Sequence, residues 1–245
     1  MRVEAIVAAA GSSTRMADPS IGSPAGQAGQ AIDKLFVPVA GRPLLAHVLA
    51  SIQGCPLVHR IVLVVSSASL QRGRDLVTQH RLGKVSTVCQ GGPRRQDSVR
   101  LGLEALSASG GCDWVLVHDG ARLLIAPTIM EGLAAARETG AAVPAIPIAD
   151  TIKMADEDGA IASTVDRNRL WAAQTPQVFR YDLLLRAHRE VAADVTDDAA
   201  MLEALGLPVK LYPGSPLNIK VTTPQDLNMA EALLREAARS GADRP

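Results

Sequence analysis

The chain predicts an α/β fold: a mostly parallel, twisted sheet with helices on both faces and a protruding β-arm. Three observations carry this. Short apolar runs alternate with longer segments of helical period, the signature of repeated βαβ units joined by right-handed crossovers. Hydrophobic residues make up 47% of the 245 residues but aromatics only 2%, so the core is built from Ala, Val, Leu and Ile. That composition suits strands buried on both faces beneath alanine-rich helices. The alternation then breaks after Ile146, where two short β-leaning segments flank an acidic turn.

Taken in order, the predicted strands of the first part are Glu4–Ala9, Arg60–Val65, Lys84–Val88, Trp114–His118 and Ala142–Ile146. The helices between them fall at Leu44–Ile52, Leu70–His80, Gln96–Leu106 and Thr128–Glu138; in the third, Val99, Leu103 and Leu106 form one apolar face. Thr151–Met154 and Ala160–Val165 are separated by Asp156-Glu157-Asp158-Gly159 and read as a hairpin standing away from the sheet, within an arm at about 147–174. Exposed strand edges of that kind are often covered by another subunit. Helical pattern returns at Tyr181–Val191, Asp198–Leu205 and Gln225–Ala238, with a strand at Pro208–Tyr212. Residues 17–32, rich in Gly, Pro, Ser, Ala and Gln, predict a flexible loop that is either a flap or an inert insertion. All of this is expected to form one domain, 1–245.

Composition also excludes partners. Formal net charge is zero, from 25 Lys+Arg against 25 Asp+Glu, without a long run of either sign, so no nucleic-acid polymer is expected. Cys55, Cys89 and Cys112 are isolated and lack metal spacing; they read as reduced core residues of a cytoplasmic protein. The N-terminus does not read as a signal peptide, and no stretch approaches the roughly 20 apolar residues of a membrane span.

Chemistry-bearing residues gather where the predicted strands end, which is where ligands bind in open α/β sheets. Glu4–Ala9 runs into Ala10-Gly11-Ser12-Ser13-Thr14-Arg15-Met16. Small residues after a strand let backbone N–H groups reach an anion, and the arginine adds charge. There is no G-x-G-x-x-G turn and no Gly-Lys-Ser/Thr ending, which disfavours dinucleotide and P-loop sites. His118-Asp119-Gly120-Ala121-Arg122 ends another strand, and Asp119 is a candidate neighbour of Mg²⁺, which takes one or two carboxylates plus substrate phosphates. Alone, Asp119 reads better as a helix cap or as Arg122's partner. Gly91-Gly92-Pro93-Arg94-Arg95-Gln96-Asp97-Ser98 is either a plain turn into a helix or a seat for a base and ribose. Polar clusters at 150–153, 166–169, 174–177 and 218–222 read singly as solvated surface, and Thr196-Asp197-Asp198 as a helix N-cap.

Together the motifs are more specific. Ala9-Ala10-Gly11 with Arg15-Met16, Lys34, Gly91-Gly92 with Arg95 and Ser98, Val115–Asp119 with Ala121-Arg122, Asp150-Thr151-Ile152-Lys153, Val165–Asn168 with Leu170-Trp171, Thr175-Pro176-Gln177 and Asn218–Thr222 occur in one order over nearly the whole chain. This set resembles the 2-C-methyl-D-erythritol 4-phosphate cytidylyltransferases of non-mevalonate isoprenoid synthesis. The resemblance implies a Rossmann-like nucleotidyltransferase sheet, a homodimer built through the β-arm, and reaction of CTP with a polyol phosphate in the presence of Mg²⁺. It implies that Arg15, Lys34 and Lys220 surround the triphosphate, and that Ala9, Ala10, Gly11, Gly92 and Ser98 hold the nucleotide. It further implies that Asp119 lies near Mg²⁺ and the substrates, and that Arg122, Thr151, Arg167 and Thr175 hold the polyol phosphate, Thr151 and Arg167 from a partner subunit. A ribitol 5-phosphate cytidylyltransferase and a noncatalytic nucleotide-binding paralogue are the rival readings.

Three departures from the family pattern carry expectations. Asp33 stands where proline is usual, and its carboxylate is expected to compete with phosphate for Lys34. Gly120 and Leu123 replace alanine and proline and are expected to loosen the turn after Asp119. Ala8 also replaces a proline.

Overall fold

Alternation along the first strand builds the layers. Val3, Ala5, Val7 and Ala9 turn to one face of the sheet and Ile6 to the other, none more than 4% exposed, as the two-residue period of a strand requires. The two sets enter separate apolar clusters, one on each face. Glu4 is also fully buried; Arg2 and Arg60 neutralise it, the latter through two hydrogen bonds of 2.9 Å.

The computed structural model describes residues 1–11, 33–123 and 128–242. Strand β1 (Val3–Ala9) is followed by a small hairpin, β2 (Pro38–Val39) and β3 (Arg42–Pro43), and by α1 (Leu44–Gly54). Next come β4 (Val58–Val65), α2 (Leu70–Gln79), β5 (Val85–Gln90), α3 (Arg95–Ala108), β6 (Trp114–Asp119), α4 (Thr128–Ala135) and β7 (Ala141–Pro147). The remainder holds β8 (Ile152–Ala155), β9 (Ile161–Val165), β10 (Trp171–Ala173), β11 (Gln177–Arg180), α5 (Tyr181–Glu190), α6 (Asp198–Ala204), β12 (Lys210–Pro213) and α7 (Pro224–Ala242).

Among the described residues, eight strands form the main sheet. β6, β1, β4 and β5 pair in parallel, β11 runs antiparallel to both β6 and β7, and β12 is parallel to β7, so only β10 and β11 oppose the common direction. Helices α1, α2 and α4 cover one face and α3, α5 and α6 the other. α7 closes the assembly through Leu227, Ala230 and Leu234, which pack on Val39, Leu44, Leu123 and Val221. The predicted mostly parallel sheet is therefore present, with element ends shifted by a few residues.

Two features differ from the sequence reading. Residues 171–173 and 177–180 carry no strand signal in the sequence, and 171–173 falls in the expected arm, yet both are strands of the main sheet. Ala145 pairs with Ala173 and also with Pro213, and Ala142 with Val178 and also with Lys210, which places β10 and β11 on one edge of β7 and β12 on the other. From 171 to 178 this edge advances seven residues while β7 retreats five, from 147 to 142, so 174–176 bulge out of the ladder. The two-stranded part of the arm is then limited to β8 and β9, which pair only with each other among the described residues. The predicted loop at 17–32 lies outside the described residues.

The cysteines are free and partly buried. Burial pushes the thiol of Cys89 up and that of Cys112 up to about 12, so neither is a ready nucleophile.

Candidate active site

Parallel register brings the strand ends together. Ala8 lies opposite Asp119, Ala9 opposite Val65, and Val65 opposite Gln90. Beyond these ends the chain continues into Ala10-Gly11, Gly91-Gly92 and Gly120-Ala121, of which Ala10, Gly11, Gly92 and Ala121 line a cavity of about 430 Å³.

The Gly91-Gly92 turn is a close-approach device. A Cβ on Gly91 would sit 2.5 Å from the Ala10 Cβ and 2.6 Å from the Ser98 Oγ, and one on Gly92 would sit 2.4 Å from the Asp97 Cβ. Ser98 Oγ accepts the Gly92 N–H at 3.2 Å and donates to the Arg94 carbonyl at 3.2 Å, locking the turn to the start of α3. Ala10 is short and bound to the backbone, so it cannot yield. Gly91→Ala is expected to destabilise the fold by about 1–3 kcal/mol, read as a lower midpoint in urea; an unchanged midpoint would show that the turn can make room.

Asp119 is the centre of charge. Its Oδ1 accepts Arg95 Nε at 3.0 Å and its Oδ2 meets Lys220 Nζ at 2.8 Å. Burial would raise this carboxyl, but Arg95 and Lys220 outweigh it and hold it well below the usual range. Arg95 continues to Asp198, Nη1 to Oδ2 at 2.7 Å, and Asp198 faces His188 Nε2 at 3.3 Å. Burial lowers the Arg95 guanidinium, yet the two carboxylates raise it further, so it is charged at all working pH. Asp197, not Asp198, caps α6, accepting the Ala200 N–H at 3.0 Å.

Beneath Asp119 runs a closed relay. The Asp119 N–H donates to Thr175 Oγ1 at 3.1 Å, and Thr175 lies 2.9 Å from His118 Nδ1. His118 Nε2 lies 3.0 Å from the Arg122 carbonyl, which can only accept, so this nitrogen carries the proton and Nδ1 accepts from Thr175. Burial pushes His118 down to about 4, so it is neutral here and serves as a spacer. Its folded pKa lies below the unfolded value near 6.5, so the unfolded chain binds the extra proton between these values. Stability from His118 is complete above about pH 6.5 and is lost as pH falls toward 4, by on the order of 3 kcal/mol. His118→Gln is expected to flatten that part of the stability–pH curve, measured by urea unfolding between pH 4.5 and 7.5; an unchanged slope would contradict the assignment.

Lys220 is delivered by backbone tethers. Val221 N–H donates to the Ala121 carbonyl at 2.7 Å and Leu123 N–H to the Ile219 carbonyl at 2.9 Å. Arg122 Nη1 holds the Asn218 carbonyl at 2.8 Å, and Asn218 Nδ2 holds the Thr175 carbonyl at 2.7 Å. The turn after Asp119 is thus firm. Gly120 N–H binds the Ala8 carbonyl at 2.8 Å, a Cβ there would lie 2.8 Å from that of Ala9, and Leu123 is buried. The expected loosening by Gly120 and Leu123 is not seen, because these contacts replace what proline would restrain. Asp33 acts as a cap, since its carboxylate accepts the Leu35 N–H at 3.2 Å and the Ser69 hydroxyl at 2.8 Å.

Of the residues predicted for the site, Ala9, Ala10, Gly11, Lys34, Gly92, Ser98, Asp119 and Lys220 all line the cavity. Arg122 and Thr175 stand behind Asp119; the Thr175 hydroxyl is buried and its single proton is spent on His118. Thr151 and Arg167 are exposed beside and beyond the two-stranded arm, Arg167 donating to the Ala149 carbonyl, and neither lines the cavity. Arg15 lies outside the described residues. The pairing of Arg95 with Asp198 has no signal in the sequence.

A family model described as 2-C-methyl-D-erythritol 4-phosphate cytidylyltransferase matches residues 3–236. The chain belongs to this family. A cytidylyltransferase of that name from Dehalococcoides mccartyi is 45% identical over 236 residues, covering 96% of this chain and 97% of its own. One from Pelotomaculum thermopropionicum is 42% identical over 246 residues, covering 98% and 96%. Among solved structures, the 2-C-methyl-D-erythritol 4-phosphate cytidylyltransferase of Thermus thermophilus superposes with a TM-score of 0.73 at 33% identity, covering 96% of this chain and 100% of that one. A 4-diphosphocytidyl-2C-methyl-D-erythritol synthase gives 0.76 at 31%, covering 95% and 98%. The family's nucleotidyltransferase sheet is the one described above.

Proposed function

We propose that this protein transfers the cytidylyl group of CTP to 2-C-methyl-D-erythritol 4-phosphate, giving 4-diphosphocytidyl-2-C-methyl-D-erythritol and pyrophosphate. The observation that carries the chemistry is the meeting of Lys220, Asp119 and Arg95 at the mouth of a cavity walled by Ala9–Gly11 and Gly92. A phosphate monoester is already a competent oxygen nucleophile at neutral pH, so the neutral His118 is not needed as a base. Its oxygen bonds to the α-phosphorus, and the bond from that phosphorus to the bridging oxygen of pyrophosphate breaks. The protein positions two polyanions and neutralises charge on the equatorial oxygens, as in other phosphoryl transfers.

In this reading Ala9, Ala10, Gly11, Gly92 and Ser98 seat the nucleoside. Lys34 and Lys220, with Arg15, neutralise the triphosphate. Arg122, behind Asp119 and on the Asn218 carbonyl, contributes charge toward the polyol phosphate, and Thr175 acts by holding the Asp119 backbone. No group of three or more His, Cys, Asp or Glu side chains placed to hold a metal occurs among the described residues. One carboxylate beside a phosphate site fits Mg²⁺ that arrives with its nucleotide. Asp119 would meet it, directly or through water, and the ion would supply further neutralisation of phosphate charge.

The arm supports a homodimer in which Thr151 and Arg167 reach a partner's site. Met154 and Ile161 are 57% and 66% exposed on the two-stranded sheet, as is Trp171 at 46% where the arm rejoins, an apolar surface that a second copy would cover. No described helix is long and apolar enough to cross a membrane, and partly buried free thiols accord with a cytoplasmic enzyme. The test is pyrophosphate release from CTP with each polyol phosphate supplied separately. Methylerythritol phosphate is expected to support turnover; turnover with ribitol 5-phosphate alone, or with neither, would overturn the assignment.

A further inference from the structure

Among the described residues two carboxylates are wholly buried at 0% exposure, Glu4 and Asp198, and their arginines behave differently. On Glu4, Arg60 makes the two-bond fork that an arginine prefers with a carboxylate, Nε and Nη2 each at 2.9 Å. On Asp119, Arg95 makes only half of that fork. Its Nε bonds at 3.0 Å while Nη2, the second prong, is buried without a partner among the described residues. The guanidinium is anchored instead from its far side, by Nη1 on Asp198 at 2.7 Å, and Asp198 is itself backed by His188. The unforked geometry leaves Oδ2 of Asp119 to Lys220, at 2.8 Å.

We propose that Asp198 is a positioning residue for cytidylyl transfer: it holds Arg95 off the fork on Asp119, so that one Asp119 oxygen remains for Lys220. This rests on the reading that Asp119 and Lys220 serve that reaction. It explains why a negative charge is kept with no water contact one residue beyond a helix cap. The cap needs only Asp197. Removing the charge at 198 weakens the hold on Nη1, and the favoured outcome for Arg95 is then to turn both Nε and Nη2 onto Asp119 and displace Lys220.

The variant is Asp198→Asn, which keeps shape and an acceptor. We expect a lower kcat, by up to about 100-fold, with the KM for CTP unchanged, and no further loss when Asp198→Asn is added to Lys220→Ala. A merely structural role would give losses that multiply in the double variant. A crystal structure of Asp198→Asn is expected to show Arg95 forked on Asp119 and Lys220 released. Wild-type kcat in the single variant, multiplying losses, or an unmoved Arg95 would overturn the proposal. If Asp198→Asn fails to fold, Asp198→Ser, which keeps an acceptor in less volume, carries the same expectations. A wild-type protein without cytidylyltransferase activity would sink the functional reading instead, and the crystal structure would still decide what Asp198 does to Arg95.

Discussion

Lys220→Ala is expected to lower kcat by about 10²–10³, the loss of about 2.7–4 kcal/mol typical when one preplaced donor to developing charge is removed. The lysine side chain is 41% exposed, and the segment that carries it is held by backbone tethers from Ala121 and Leu123 that the substitution leaves in place. The fold is therefore expected to survive, with a melting temperature close to wild type. What is lost is a cation at the mouth of the cavity, and with it the partner of Asp119 Oδ2. The effect is expected in kcat more than in KM, because charge on the α-phosphoryl oxygens peaks in the transition state. Steady-state pyrophosphate release measures it, and turnover within tenfold of wild type would remove Lys220 from the chemistry.

Arg95→Met is expected to act on stability instead. The guanidinium is shared by Asp119 and the wholly buried Asp198. Taking one partner from a buried ion pair costs about 3–5 kcal/mol, a large part of the roughly 5–15 kcal/mol that holds a typical domain together. In the wild type, burial raises the Asp198 carboxyl but Arg95 and His188 outweigh it and keep it lowered. Its contribution is thus present above the ordinary carboxylate range and lost as pH falls through the lowered folded value. Without Arg95, burial prevails and the folded pKa moves above the unfolded one. The variant then gains stability as pH drops toward that range, so the gap to wild type narrows from pH 7.5 to pH 5. Urea unfolding at both values checks this; a loss below 1 kcal/mol or a widening gap would contradict it.

Much of the fold was legible because parallel strands buried on both faces have to be apolar runs. Val58–Val65 and Trp114–Asp119 are readable for that reason. Trp171–Ala173 and Gln177–Arg180 are not. They are three and four residues long, the second polar at both ends, and they are separated by a bulge, so no period accumulates. The same bulge and the strand that follows it bury Gln174, Thr175 and Gln177, which read as surface when taken alone. Asp198 was misplaced for a geometric reason: adjacent residues at a helix start point about 100° apart, so Asp197 can cap the helix while its neighbour turns into the core.

The sequence by itself determined the alternation of strand and helix, the glycines that permit close approach at 91 and 92, and the kinds of charge available at the strand ends. Those are local properties, set by side-chain size, period and backbone freedom. Only the tertiary structure decided which charges meet. Lys220 and Asp119 are about a hundred positions apart in the chain, as are Arg95 and Asp198; the first pair is joined because the segment at Lys220 bridges to Arg122, the second because two helices begin side by side. Ion pairing has no sequence period. Its geometry follows from where folding leaves the backbone, and from which carboxylate is buried deeply enough to hold an arginine still.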